Sequence, residues 1–133
     1  MANPVHHIEL WTSDVEASSP SFGWLLTNLG WVANHDPAWP AGRTWHHPSG
    51  AYVVLEQSPD VSGPHGRTRA GLNHLALRID DRGLLDRLRL EAADHGWAEL
   101  FADRYPHDGG PAHTALFLEN DEGFELEIVV EEP

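Results

Sequence analysis

Cysteine is absent from this chain and so is lysine, all eight basic residues being arginine. Without cysteine there is no disulfide framework, no thiol nucleophile and no thiolate metal site. Without lysine there is no Schiff-base chemistry. The eight arginines face twenty-one acidic residues, a formal charge of −13. The basic footprint that phosphate backbones and anionic lipids require is therefore missing, which excludes nucleic acid and membrane surfaces as partners. No apolar run approaches the length of a membrane span, and the opening residues MANPVHHIEL lack a basic segment followed by an apolar one, so a cytoplasmic protein is expected. The length of 133 residues suits one compact domain. What the chain has in surplus is histidine, ten residues, together with six tryptophans. That pairing points to a metal-binding or proton-handling site lined by aromatic rings.

The chain repeats itself, which governs how every later spacing is read. The segments His7-Ile8-Glu9-Leu10-Trp11-Thr12-Ser13-Asp14 and His74-Leu75-Ala76-Leu77-Arg78-Ile79-Asp80-Asp81 each run from a histidine through alternating apolar residues to an aspartate. A helical stripe follows each: Phe22, Leu25, Leu26 and Leu29 in the first, Leu85, Leu88 and Ala92 in the second. Each helix stops at glycine-tryptophan, Gly30-Trp31 and Gly96-Trp97, where a left-handed cap hands over to a strand. Three short strands complete each half. They are expected at Trp31 to Asn34, Arg43 to His47 and Ala51 to Gln57, then at Ala98 to Ala102, His113 to Leu118 and Phe124 to Val130. The fold class is thus α+β, two βαβββ modules over 1–66 and 67–133 forming a curved mixed sheet. Ser58 to Ala70, rich in Ser, Pro, Gly and charge, reads as the linker between them.

Alternation along the strands sorts side chains by face. Ile8 and Leu10 take the core face of the first strand, sending His7, Glu9 and Trp11 to the other. The same parity places His74, Ala76 and Arg78, then Tyr52, Val54 and Glu56, then Glu125, Glu127 and Val129 opposite the core. Two imidazoles and two carboxylates, His7, Glu56, His74 and Glu127, therefore share non-core faces. This is a ligand set for a six-coordinate divalent metal (Ni, Co, Zn, Mn or Fe) with positions left open for substrate. The glutamates crowding the C-terminal end, Glu119, Glu122 and Glu125 among them, also read as a solvated acidic edge. His46 and His47, before Pro48-Ser49-Gly50, read as a turn without catalytic duty. The stretch Asp103 to Pro111 reads as a polar loop of the kind that often covers a site.

These residues resemble the vicinal oxygen chelate superfamily of glyoxalase I, fosfomycin-resistance proteins, extradiol dioxygenases and bleomycin-resistance proteins, over nearly the whole chain. The likeness is carried by His7 with Asp14, by Phe22 and Leu29-Gly30, by Gly71-Leu72-Asn73-His74, and by Asn120-Asp121-Glu122-Gly123-Phe124-Glu125-Leu126-Glu127. It implies the glyoxalase/bleomycin resistance fold and a homodimer, and it maps metal ligands onto His7, His74 and Glu127, with Glu56 resembling the fourth ligand of glyoxalase I. The activity it suggests is that of a glyoxalase-type lyase or isomerase acting through a metal-stabilised enediolate on a small substrate with vicinal oxygens. Glu56 and Glu127 would be the catalytic carboxylates, with Glu56 shuttling the proton. Trp11, Tyr52 and Arg78, on the same faces, would bind substrate. The alternatives are a metal-free antibiotic-binding protein, an extradiol dioxygenase and a fosfomycin-modifying enzyme.

Overall fold

The computed structural model describes residues 3–131. The chain forms two compact units, Met1–His65 and Gly66–Pro133. In the first, β1 (His7–Trp11) leads into α1 (Val15–Asn28), followed by β2 (Val32–Ala33), β3 (Gly42–His46) and β4 (Tyr52–Glu56). The sheet order is β1-β4-β3-β2, with β1 parallel to β4 and the other pairs antiparallel. The second unit repeats this order with β5 (Leu75–Ile79), α2 (Arg82–Glu91), β6 (Trp97–Leu100), β7 (Ala115–Asn120) and β8 (Glu125–Val130), arranged β5-β8-β7-β6. Each unit is thus a βαβββ module whose first strand is parallel to its last, a pairing that requires the helical crossover.

The helices begin where aspartates can satisfy free amide groups. Asp14 accepts from the Ala17 amide at 3.1 Å, and Asp81 accepts from Gly83 at 2.8 Å and Leu84 at 3.3 Å. They bury the expected stripes, with Phe22, Leu25 and Leu26 of α1 and Leu85 and Leu88 of α2 wholly enclosed. Gly30 and Gly96 both adopt positive φ, +92° and +85°, at the turns that close the helical segments. The second helix differs from its expected span: after Glu91 the chain tightens into a 3₁₀ turn, Ala92–His95, before Gly96. The strand expected at Trp31 to Asn34 shortens to two residues because the Trp31 amide still bonds to Leu26 of the helix end. The strand expected from His113 starts at Ala115, since the His113 amide closes a turn onto Gly110. Among the described residues no helix is long and apolar enough to cross a membrane.

The central strands decide where a site can form. Because β4 and β8 each lie inside their sheets, both of their edges are hydrogen-bonded to neighbouring strands. On β8, Leu126 and Ile128 are buried on the helix side while Glu125 and Glu127 are buried on the other, at 4% and 6% exposure. Buried carboxylates must be paired or hydrogen-bonded, so their partners identify the chemistry of that face.

Candidate functional site

In the first unit, His7 stands opposite Tyr52 across β1 and β4, and His46 stands opposite Tyr52 across β3 and β4. The Tyr52 ring is consequently flanked by two imidazoles, with centroids 4.8 Å from His7 and 4.9 Å from His46, at interplanar angles of 7° and 27°. His46 is therefore not part of a turn, as its sequence context suggested, but the last residue of β3 and a member of this stacked group. His47 does lie in the turn, where its Nδ1 is 2.8 Å from Ser49 Oγ. Further along β1, Trp11 donates from Nε1 to Glu9 Oε2 at 2.8 Å, and the residue is 42% exposed.

Glu56 pairs with Trp11, four residues along the strand from the His7–Tyr52 level. At a rise of about 3.3 Å per residue, that is roughly 13 Å of strand. Parity places Glu56 on the same face as His7, and the strand pairing sets it further along that face. Its chemistry is nonetheless perturbed. Burial, then the nearby Glu9 carboxylate with its hydrogen bond, then Asp60, push the Glu56 carboxyl above its ordinary value.

The second unit brings two expected residues together. His74, just ahead of β5, places Nε2 3.0 Å from Oε1 of Glu127. The proton on His74 is oriented by its neighbour: Asn73 donates from Nδ2 to the Arg67 carbonyl at 2.9 Å, which turns its Oδ1 to accept from His74 Nδ1 at 2.6 Å. A neutral imidazole donates from one nitrogen only, so with Nδ1 committed to Asn73 the Nε2 lone pair is aimed at the carboxylate. Two such electron-rich atoms are held close by a cation or a proton. Donor atoms on adjacent corners of a divalent coordination sphere with bonds of about 2.1 Å lie about 3 Å apart. The pair therefore fits a divalent metal, and Asn73 is the outer partner that fixes the ring. Among the described residues no three His, Asp or Glu side chains form a complete cage, so the unit supplies two adjacent donors rather than a closed site.

Residues that sequence reasoning did not single out complete this surface. His113 Nε2 lies 2.5 Å from Glu127 Oε2. Arg67, within the stretch read as a linker, bonds to both Glu119 and Glu125, the latter at 3.2 Å. The acidic cluster is thus neutralised locally and partly buried, which corrects its reading as a solvated edge. Phe117 stands opposite Glu127 across β7 and β8, with Phe101 packed edge-on to it at 5.4 Å. Arg78, expected to bind substrate, is 72% exposed and paired with Glu131 at 2.6 Å.

Residues 6–118 match the family model of the Glyoxalase/Bleomycin resistance protein/Dioxygenase superfamily. The chain is 33% identical over 126 residues to the uncharacterized protein YqjT of Bacillus subtilis, covering 94% of this chain and 97% of that one. A solved structure from Bacillus halodurans, of a protein suggested to be a glyoxalase, is similar with a TM-score of 0.86 and 33% identity, over 97% of this chain and 96% of that one. The fold is also that of the fosfomycin resistance protein FosX from Listeria monocytogenes, with a TM-score of 0.64 at 13% identity over 97% and 91% of the two chains.

Proposed function

Since the chain belongs to the glyoxalase/bleomycin resistance protein/dioxygenase superfamily, we propose that it is a metal-dependent lyase or isomerase of glyoxalase type, acting on a small substrate with two neighbouring oxygens. The observation that carries this reading is the His74–Glu127 pair, in which the imidazole Nε2 and a carboxylate oxygen stand 3.0 Å apart with the opposite ring nitrogen against Asn73 Oδ1. His74 and Glu127 would hold a divalent ion, with His7 as the third ligand. When bound, such an ion supplies Lewis-acid polarisation of the substrate oxygens. Proton removal from the carbon beside the carbonyl falls to Glu56, whose carboxyl is held above the ordinary range and so nearer the pH at which it must exchange protons. Trp11 and Tyr52 would bind the organic part of the substrate. We further propose a homodimer as the working assembly.

Solvent deuterium exchange at that carbon tests the reading without requiring the final product. The metal-loaded protein would be assayed over 2-oxoaldehyde thiol adducts, 2-oxo acids and acyl thioesters. Metal-dependent exchange on one class is expected, with Glu56→Gln slower by roughly two orders of magnitude or more. Absence of exchange on every class overturns the proposal. The stacked His7–Tyr52–His46 group and the exposed Trp11 favour one second reading, sequestration of a cationic antibiotic on an aromatic surface. It is the reading that survives if exchange is absent and such a drug binds tightly without metal.

A further inference from the structure

The loop after β6 delivers one more side chain to Glu127. Phe101 opens it in the left-handed region, φ +59°, an uncommon conformation for a bulky residue. Tyr105 then ties the loop to α2: its hydroxyl donates to Asp86 at 2.6 Å, and the Arg89 guanidinium lies over its ring at 4.1 Å. The Ala115 amide bonds to the Pro106 carbonyl at 2.9 Å, closing the loop at its base. Inside this frame His113 is fixed at both backbone groups. Its amide donates to Gly110, 3.1 Å away, and its carbonyl accepts from His107 Nδ1 at the same distance. Its ring lies directly against Gly109, where an added Cβ would overlap the imidazole. The loop is therefore shaped around this histidine, and the ring it holds ends 2.5 Å from Glu127 Oε2.

We propose that His113 is a positioning residue: its Nε2–H bond to Oε2 locks the Glu127 carboxylate so that Oε1 stays beside His74. The inference rests on the metal-centre reading above and deepens it. A nearly buried carboxylate on β8 has two oxygens and one job, and a donor on one oxygen leaves the other directed at the ion. His113 itself needs no contact with substrate to do this. Its neighbours also argue against a role as mere filling, because the residue paired with Glu127 on β5 is Ala76, whose methyl group offers the carboxylate no hydrogen bond.

The test compares His113→Phe, which fills the space without a donor, with His113→Gln, whose amide places an N–H near the position of Nε2. Cobalt(II) affinity is measured by calorimetry on the full-length protein, and the His74 ring-nitrogen resonances are recorded on the metal-free protein. Cobalt binding is expected to fall tenfold or more in His113→Phe and to return to within about threefold of wild type in His113→Gln. The His74 resonances should shift in the first variant and return in the second. Equal cobalt affinity in wild type and His113→Phe, or equal loss in both variants, overturns the proposal while leaving the metal reading intact. If the wild type takes up no cobalt, the metal reading falls and the ring resonances decide: a shift that glutamine reverses sustains the positioning role, and unchanged resonances in His113→Phe refute it.

Discussion

Arg67→Ala is the most informative single perturbation, because it removes a cation from between two carboxylates and leaves the backbone carbonyl that orients Asn73 in place. Glu119 and Glu125 stand directly opposite each other on β7 and β8, and Arg67 bonds to both. Opposed side chains on adjacent strands have Cβ atoms about 5 Å apart. Two unit charges at that distance repel by about 3 kcal/mol at an effective dielectric of about 20. Glu125 is 4% exposed, whereas the Arg67 side chain is 28% exposed, so solvent screens part of this. Breaking a fully buried pair costs about 3 to 5 kcal/mol; a loss of about 2 kcal/mol is the reasoned value here. For a domain of this size, that lowers Tm by roughly 8 °C. Urea denaturation at pH 7 measures it, and adding Glu125→Gln to Arg67→Ala should recover about half, since an amide can donate to Glu119 where a second carboxylate repels it. A single variant within about 0.5 kcal/mol of wild type, or a double variant less stable than the single, refutes the reasoning.

Tyr105 gives a pH prediction: burial first, then Asp86, raise its hydroxyl from 10.0 to about 12. A group whose folded value is raised contributes stability that is fully present below the unfolded value and is lost as pH climbs through the folded one. Thermal melts should therefore fall more steeply between pH 10 and 12 in wild type than in Tyr105→Phe, and parallel curves would contradict the assignment. Light scattering at micromolar concentration should report twice the 14.8 kDa chain mass; a strictly monomeric protein overturns the proposed dimer.

Much of the fold was legible because periodicity and punctuation agreed. The alternation in His7–Trp11 and Leu75–Ile79, the stripes of Phe22, Leu25 and Leu26 and of Leu85 and Leu88, and the glycines at 30 and 96 are each local signals that tertiary packing then reinforces. Where the expectations shifted, a backbone bond closing a turn had intervened. Trp31 is held to Leu26 and His113 to Gly110, so neither begins a strand as its side chain would suggest. The segment 58–70 reads as linker by composition, and composition says nothing about where a single arginine will reach; Arg67 bonds more than fifty residues further on.

The site was legible only to the extent that parity can carry it. Alternation assigns a side chain to a face, and it placed His7, Glu56, His74 and Glu127 on non-core faces; the height of each along its strand depends on pairing, which alternation does not contain. The internal repeat makes the difference explicit. His7 and His74 open corresponding segments, and each unit pairs its first strand in parallel with its last. In the second unit His74 precedes Leu75, which faces Leu126, so Glu127 lies two residues beyond the histidine's own level, a diagonal neighbour within reach. The same step in the first unit, two residues beyond Tyr52, arrives at Val54; Glu56 lies two further on, opposite Trp11. The histidines are thus repeated and the carboxylates are not. A symmetric set of two histidines and two glutamates gives way to an asymmetric arrangement: the second unit sets its imidazole against a carboxylate, while the first stacks its imidazole on Tyr52 and carries its glutamate further along the strand, beside Glu9.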